Sequence, residues 1–151
     1  MAERTSLLYA AQGVGALVAA LMATLLSSSR KKGQWVFIGQ IVFILPLIAL
    51  GYVRRLHIST FLLMLIGWGT VTQLVTMNTL IQLKVPNELR GRVFSIYLWA
   101  LQGVAPFGSL LIGWMAQNWG ISLSALIGGL VSLITIGGLH LLNPGVRKAQ
   151  A

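Results

Sequence analysis

Five apolar stretches follow one another along the chain, at 6–26, 35–53, 59–83, 93–116 and 121–142, and none contains Asp, Glu, Lys or Arg. The short links between them hold nearly all of the charge. A hydrocarbon core of roughly 30 Å needs about 20 helical residues at about 1.5 Å each, and every stretch comes close to that length or exceeds it. Runs such as Leu45 to Leu50 and Leu62 to Ile66 do not alternate, so the period-two pattern of a membrane barrel is absent. Backbone groups in lipid must then be satisfied inside each helix. The pattern predicts an all-α integral membrane protein with five transmembrane helices and no linker long enough to divide residues 1–151 into domains.

Composition agrees, with 56% hydrophobic and only 9% charged residues against the roughly one quarter charged in a soluble domain. The net charge of +9, from 11 basic and 2 acidic residues, resembles a nucleic-acid signal until its placement is read. If the first link faces the cytoplasm, that side collects Arg30, Lys31, Lys32, Lys84, Arg90, Arg92, Arg147 and Lys148. The opposite side keeps Arg4, Arg54 and Arg55. The positive-inside rule then puts Met1 outside and Ala151 in the cytoplasm, with no nucleic-acid partner implied.

Cysteine is absent, which excludes disulfides, thiolate nucleophiles and thiolate metal sites, and His57 and His140 lack the spacing of a metal or nucleophile pair. No catalytic residue, metal site or cofactor is expected, and an intramembrane hydrolase would need a paired nucleophile and base inside the spans. The first stretch exceeds a signal-peptide core and follows a weakly charged start, so it reads as a retained span. Trp35, Tyr52, Trp114 and Trp119 fall near span ends, where amphipathic rings prefer the headgroup level, and Gln117 to Gly120 reads as a turn.

Small residues four apart, Ala16 and Ala20, Ala19 and Ala23, Ala125 and Gly129, and Gly128 and Ser132, predict faces where helices pack closely. Pro46 and Pro106 lie inside spans, where each removes an intrahelical hydrogen bond. Polar side chains concentrate in the third span, at Thr72, Gln73, Thr76, Asn78, Thr79 and Gln82, with Gln12, Gln40 and Gln102 elsewhere. Two readings of this set stand side by side: a border to a water-filled path, or hydrogen bonding between helices and back onto the helix itself.

The strongest local motif is Val85-Pro86-Asn87-Glu88-Leu89-Arg90-Gly91-Arg92-Val93-Phe94-Ser95-Ile96-Tyr97, preceded by Asn78-x-x-x-Gln82. It resembles the link between the tenth and eleventh helices of bacterial major facilitator superfamily exporters, in the branch of enterobactin and drug efflux proteins. The resemblance is most specific over 76–113 and aligns the five stretches with the last five of that family's twelve helices. Ser29-Arg30-Lys31-Lys32-Gly33 resembles the basic loop between its eighth and ninth helices, without that loop's acid. Gln12-Gly13-Val14 recurs as Gln102-Gly103-Val104 three helices later, the offset of the nested inverted repeats of this fold.

The resemblance implies the C-terminal part of a secondary active transporter: an incomplete half of a twelve-helix fold, exporting small amphipathic or hydrophobic solutes by alternating access and unable to transport alone. Its implied partners are the lipid bilayer, the missing N-terminal half, a small-molecule substrate and, in an antiporter, protons. Both acids, Glu3 and Glu88, fall outside the spans, so the titrating carboxylate of an antiporter is expected elsewhere. Candidates for the substrate path are Thr72, Gln73, Thr76, Asn78 and Gln102. Glu88, Arg90 and Arg92 are candidates for a cytoplasmic gating latch, against the plainer reading of a helix start capped by Asn87 with a screened ion pair. The rival from another class is a small self-assembling membrane subunit or scaffold with no transport activity of its own. A pore is disfavoured because no polar stripe runs the length of one helix.

Overall fold

The third helix is the axis of the molecule. A computed structural model describes residues 2–25 and 32–142, and in it the chain forms α1 (Ala2–Leu25), α2 (Lys32–Leu50), α3 (Leu56–Lys84), α4 (Asn87–Trp119) and α5 (Ile121–Leu142). Among the described residues there is no strand. The basic link at 27–31 and the basic pair Arg147 and Lys148 lie outside the described residues. Packing runs in the order α1, α3, α2, α5, α4: α3 lies between α1 and α2, α5 packs on α2 and α4, and α3 meets α4 only briefly. Four of the helices are long and apolar enough to cross a membrane, while α2 offers a shorter apolar segment, Gln34–Leu50.

The stretch at 35–53 was expected to be helical to its end, but α2 stops at Leu50. Gly51 N–H closes onto the Ile48 carbonyl at 3.1 Å and the N–H groups of Tyr52 and Val53 onto that of Ala49 at 3.0 and 3.1 Å, tight turns that satisfy two of the carbonyls at the helix end. Other helices run past the apolar stretches. α4 begins six residues before Val93 and continues through the expected turn at 117–120, where Gly120 alone breaks the helix with φ 87°. Only glycine adopts that backbone without strain, so one residue suffices to separate α4 from α5.

Close backbone approach fixes the pairs. A Cβ on Gly15 would overlap the Met64 carbonyl, and one on Gly67 would overlap the Gln12 carbonyl, so α1 and α3 touch backbone to backbone. Two residues further on, Gly69 faces α2, where an added Cβ would lie 2.7 Å from the Gly39 carbonyl oxygen. Positions two apart on a helix are separated by about 200°, so Gly67 and Gly69 serve opposite flanks of α3. Ser122 Oγ donates to the Gly51 carbonyl and Gly129 faces Ile48, which ties α5 to α2. Of the residue pairs expected to pack closely, Ala19 is buried, Ala125 and Gly129 face α2, and Gly128 faces Ile112 of α4.

Replacing Gly67 or Gly15 by Ala should destabilise the chain by about 1–3 kcal/mol, because the collision is with backbone that cannot rotate away. Gly108, with open space at its Cβ position, should tolerate Ala or gain up to about 1 kcal/mol from helix propensity. Thermal unfolding followed by helical circular dichroism in lipid nanodiscs measures both.

Candidate functional site

Two polar features interrupt the apolar bundle, one in a cleft between helices and one at the α3–α4 elbow. The cleft, of about 350 Å³, lies between α2, α3 and α5. Its polar groups are Gln40 from α2, Gln73 from α3, and Ser132 and Thr135 from α5, set in walls that include Phe43, Ile44, Val131 and Ile136. All four polar residues stand near the middle of their helices rather than at the ends. Gly39 creates the room: a Cβ there would lie 3.1 Å from Gln73 Cγ and 3.4 Å from Thr72 Cγ2, so α2 approaches α3 at the turn that carries Gln40.

Hydrogen bonding separates the glutamines from the hydroxyls. Ser132 Oγ donates to the Gly128 carbonyl and Thr135 Oγ1 to the Val131 carbonyl, both at 2.8 Å, which leaves each oxygen able to act only as an acceptor. Gln40 and Gln73 have no hydrogen-bond partner among the described residues. A polar amide taken from water without a partner costs roughly 2–7 kcal/mol, so each must meet water or a solute in the open cleft. A second cleft of about 360 Å³, between α1, α2 and α3, is a foil: its lining, including Val18, Val42, Phe61 and Met64, offers no side-chain hydrogen-bonding group apart from the edge of Trp68. The Trp68 indole N–H itself points at Met22 Sδ, 3.3 Å away.

The other path candidates do not gather in the polar cleft. Thr72 is buried beside Gly39, Thr76 is half-buried, and Thr79 donates back to the Val75 carbonyl at 2.8 Å, the self-bonding alternative. Gln102 is exposed on α4, away from Gln73. Asn78 is half-buried with its Oδ1 shielded from solvent and without a partner. Gln40, Ser132 and Thr135 were not among the path candidates. Gln40 stood out in the sequence as a lone polar residue in an apolar run, whereas nothing in the spacing linked α5 to α2 and α3.

At the elbow, Val85 precedes Pro86 and is therefore driven to extended backbone, with φ −95° and ψ 127°. Pro86 itself is the N-cap of α4 and Asn87 is its first helical residue, with no side-chain cap bond. The expected Asn87 cap is thus displaced by one position, because the proline both ends α3 and starts α4. Arg90 reaches back to donate from Nη2 to the Gln82 carbonyl at 2.8 Å. A cation on the last turn of α3 satisfies a free carbonyl and complements the negative end of the helix dipole. Its Nε is shielded and without a partner. Glu88 and Arg92 are exposed, and Glu88 forms no ion pair among the described residues.

The fold defines a multi-pass α-helical membrane protein. The chain belongs to the transmembrane secretion effector family, a group of major facilitator superfamily transporters, whose family model matches residues 2–151. No curated protein and no solved structure matches it. The family is one of transporters rather than enzymes, and the chain is a secretion or efflux transporter domain.

Replacing Arg90 by Ala should loosen the elbow by about 1–2 kcal/mol, the value of a partly exposed hydrogen bond from a charged group. Backbone hydrogen exchange should rise over residues 85–92 and not at the α4–α5 turn. Glu88→Gln, which breaks no bond within the described residues, should leave the exchange unchanged.

Proposed function

We propose that this chain supplies the last five helices of a twelve-helix exporter of the prokaryotic plasma membrane, moving small amphipathic or hydrophobic solutes by alternating access. The observation that carries this reading is the family match over nearly the whole chain. The resemblance of the elbow motif to the link between the tenth and eleventh helices of such exporters gives the register, with α1 to α5 as helices eight to twelve. Five helices are fewer than a transporter half, so about seven further helices complete the path. The chain alone does not transport. The positive-inside reading supports an outer N-terminus and a cytoplasmic C-terminus, which puts the α3–α4 elbow in the cytoplasm.

In this reading Gln73 and Thr76 on α3 and Gln102 on α4 border the solute path, Thr72 packs behind them against Gly39, and the unpartnered Asn78 Oδ1 takes its hydrogen bond from water or from a helix of the other half. Arg90 fixes the angle between α3 and α4, while exposed Glu88 and Arg92 present charge to other cytoplasmic loops as the latch. With no acid inside the spans, a proton-coupled exporter takes its titrating carboxylate from the other helices.

Expression of the complete exporter in an efflux-deficient bacterial host should lower accumulation of the neutral dye Nile red, and expression of this chain alone should not. Glu88→Lys in the complete exporter should slow efflux by about tenfold at equal membrane abundance, the order expected when about 1.4 kcal/mol of differential charge contact is lost between two conformations. Unchanged efflux in Glu88→Lys removes the latch. Failure of the complete exporter to change accumulation removes the transport reading in favour of a subunit or scaffold.

A further inference from the structure

We propose that the cleft between α2, α3 and α5 is a binding site for uncharged amphiphiles carrying a hydrogen-bond donor, such as an amide, alcohol or phenol on an apolar body, with Gln40 and Gln73 as a two-sided amide clamp. The inference rests on the transport reading for its biological use but on the cleft's own chemistry for its ligand class.

Three features of the cleft select that class. First, its lining contains no ionisable side chain. A cation entering it finds no carboxylate, and an anion finds no ammonium or guanidinium, so either would lose its hydration without compensation at mid-membrane depth. Second, the hydrogen-bonding groups are in place and unspent. Each glutamine offers an amide N–H pair and a carbonyl oxygen with no partner among the described residues, and the α5 hydroxyls have already given their protons to Gly128 and Val131. The cleft therefore offers free acceptors and the glutamine N–H donors together, which a solute that both donates and accepts, such as an amide or alcohol, satisfies on both counts and an ester or ether on only one. Third, the volume of about 350 Å³ falls at the small end of the range for small-molecule sites, and Phe43, Ile44, Val131 and Ile136 give the solute's body an apolar wall to lie against.

The position distinguishes this site from a lipid headgroup site. Gln40, Gln73, Ser132 and Thr135 sit near mid-helix, where headgroups do not reach, while the Arg54 and Arg55 link stands beyond the end of α2. A neutral solute arriving through the hydrocarbon meets these amides without passing a charged barrier.

The test uses the full chain in lipid nanodiscs and three photoreactive probes of one chain length, each a diazirine-bearing decanamide, decylammonium or decanoate, with labelled peptides mapped by mass spectrometry. The decanamide probe should label residues 36–44, 69–76 and 128–136, compete with unlabelled decanamide, and exceed both charged probes there by at least about tenfold. Gln40→Leu and Gln73→Leu should each cut that labelling by roughly threefold to tenfold, the value of one hydrogen bond. Ser132→Asp supplies a gain-of-function control against simple misfolding: it should bring the decylammonium probe into the same three segments. Equal labelling by all three probes, or labelling indifferent to both glutamine changes, overturns the proposal. That result together with intact efflux by the complete exporter leaves the transport reading standing, and selective labelling without efflux leaves the cleft standing and removes transport.

Discussion

The rest of the structure depends on the backbone contact between α1 and α3, made where Gly15 lies on the Met64 carbonyl and Gly67 on that of Gln12. In lipid the surroundings of a helix are as apolar as its side chains, so burial of Leu or Ile does not drive helices together as it does in water. Close approach does, through dispersion between backbones that no Cβ holds apart. Gly69, on the opposite flank of α3, repeats the device against Gly39 and Phe43 of α2. These two seams fix the depth at which α2 meets α3, and that depth brings Gln40 and Gln73 to the same cleft. The α5 helix follows because Ser122 and Gly129 hold it to the C-terminal half of α2.

Much of this was legible in the residues. Charge-free runs of span length give helices on length alone, and the link between α3 and α4 was visible in the charged motif from Lys84 to Arg92. The ends were harder to read, since apolar runs mark what sits in hydrocarbon and helices extend past it: α4 carries Asn87 to Arg92 in helical form. The glycine seams were missed because attention to small residues four apart finds one face of one helix. Gly67-Trp68-Gly69 instead marks a helix with close neighbours on two sides, a pattern of spacing two. The partner of Arg90 was also out of reach, because a carbonyl in the preceding helix carries no signature in its side chain. The sequence suggested Glu88 by proximity and charge, whereas geometry gave the guanidinium to the Gln82 carbonyl.

The polar residues divide by side-chain length. Ser and Thr hydroxyls are short enough to reach a carbonyl on the preceding turn, and Thr60, Thr70, Thr79, Ser124, Ser132 and Thr135 all do so. Such residues cross hydrocarbon at little cost and say little about function. A glutamine amide projects away from its own helix and must find its partners elsewhere. Gln40 and Gln73 are therefore the informative members of the set, and they converge from two helices on one cleft.

Recognition and energy coupling fall in different places under the proposed function. The cleft offers neutral hydrogen bonding at mid-depth, while the described charges of α3 and α4 stand at the elbow: Lys84, Glu88, Arg90 and Arg92. A neutral cleft discriminates solutes without itself responding to proton or voltage gradients, since nothing in it changes charge. Movement must then reach it mechanically. The route available is α3 itself, which is continuous from Gln73 to the carbonyl of Gln82 that Arg90 holds. A change in the α3–α4 angle, transmitted along those intervening turns, would displace Gln73 relative to Gln40, which is anchored on α2 by the Gly39–Gly69 seam. Opening the clamp in this way requires two discrete packings of the elbow rather than a titrating group in the cleft, and the single hydrogen bond from Arg90 is the element whose loss would bias one packing over the other.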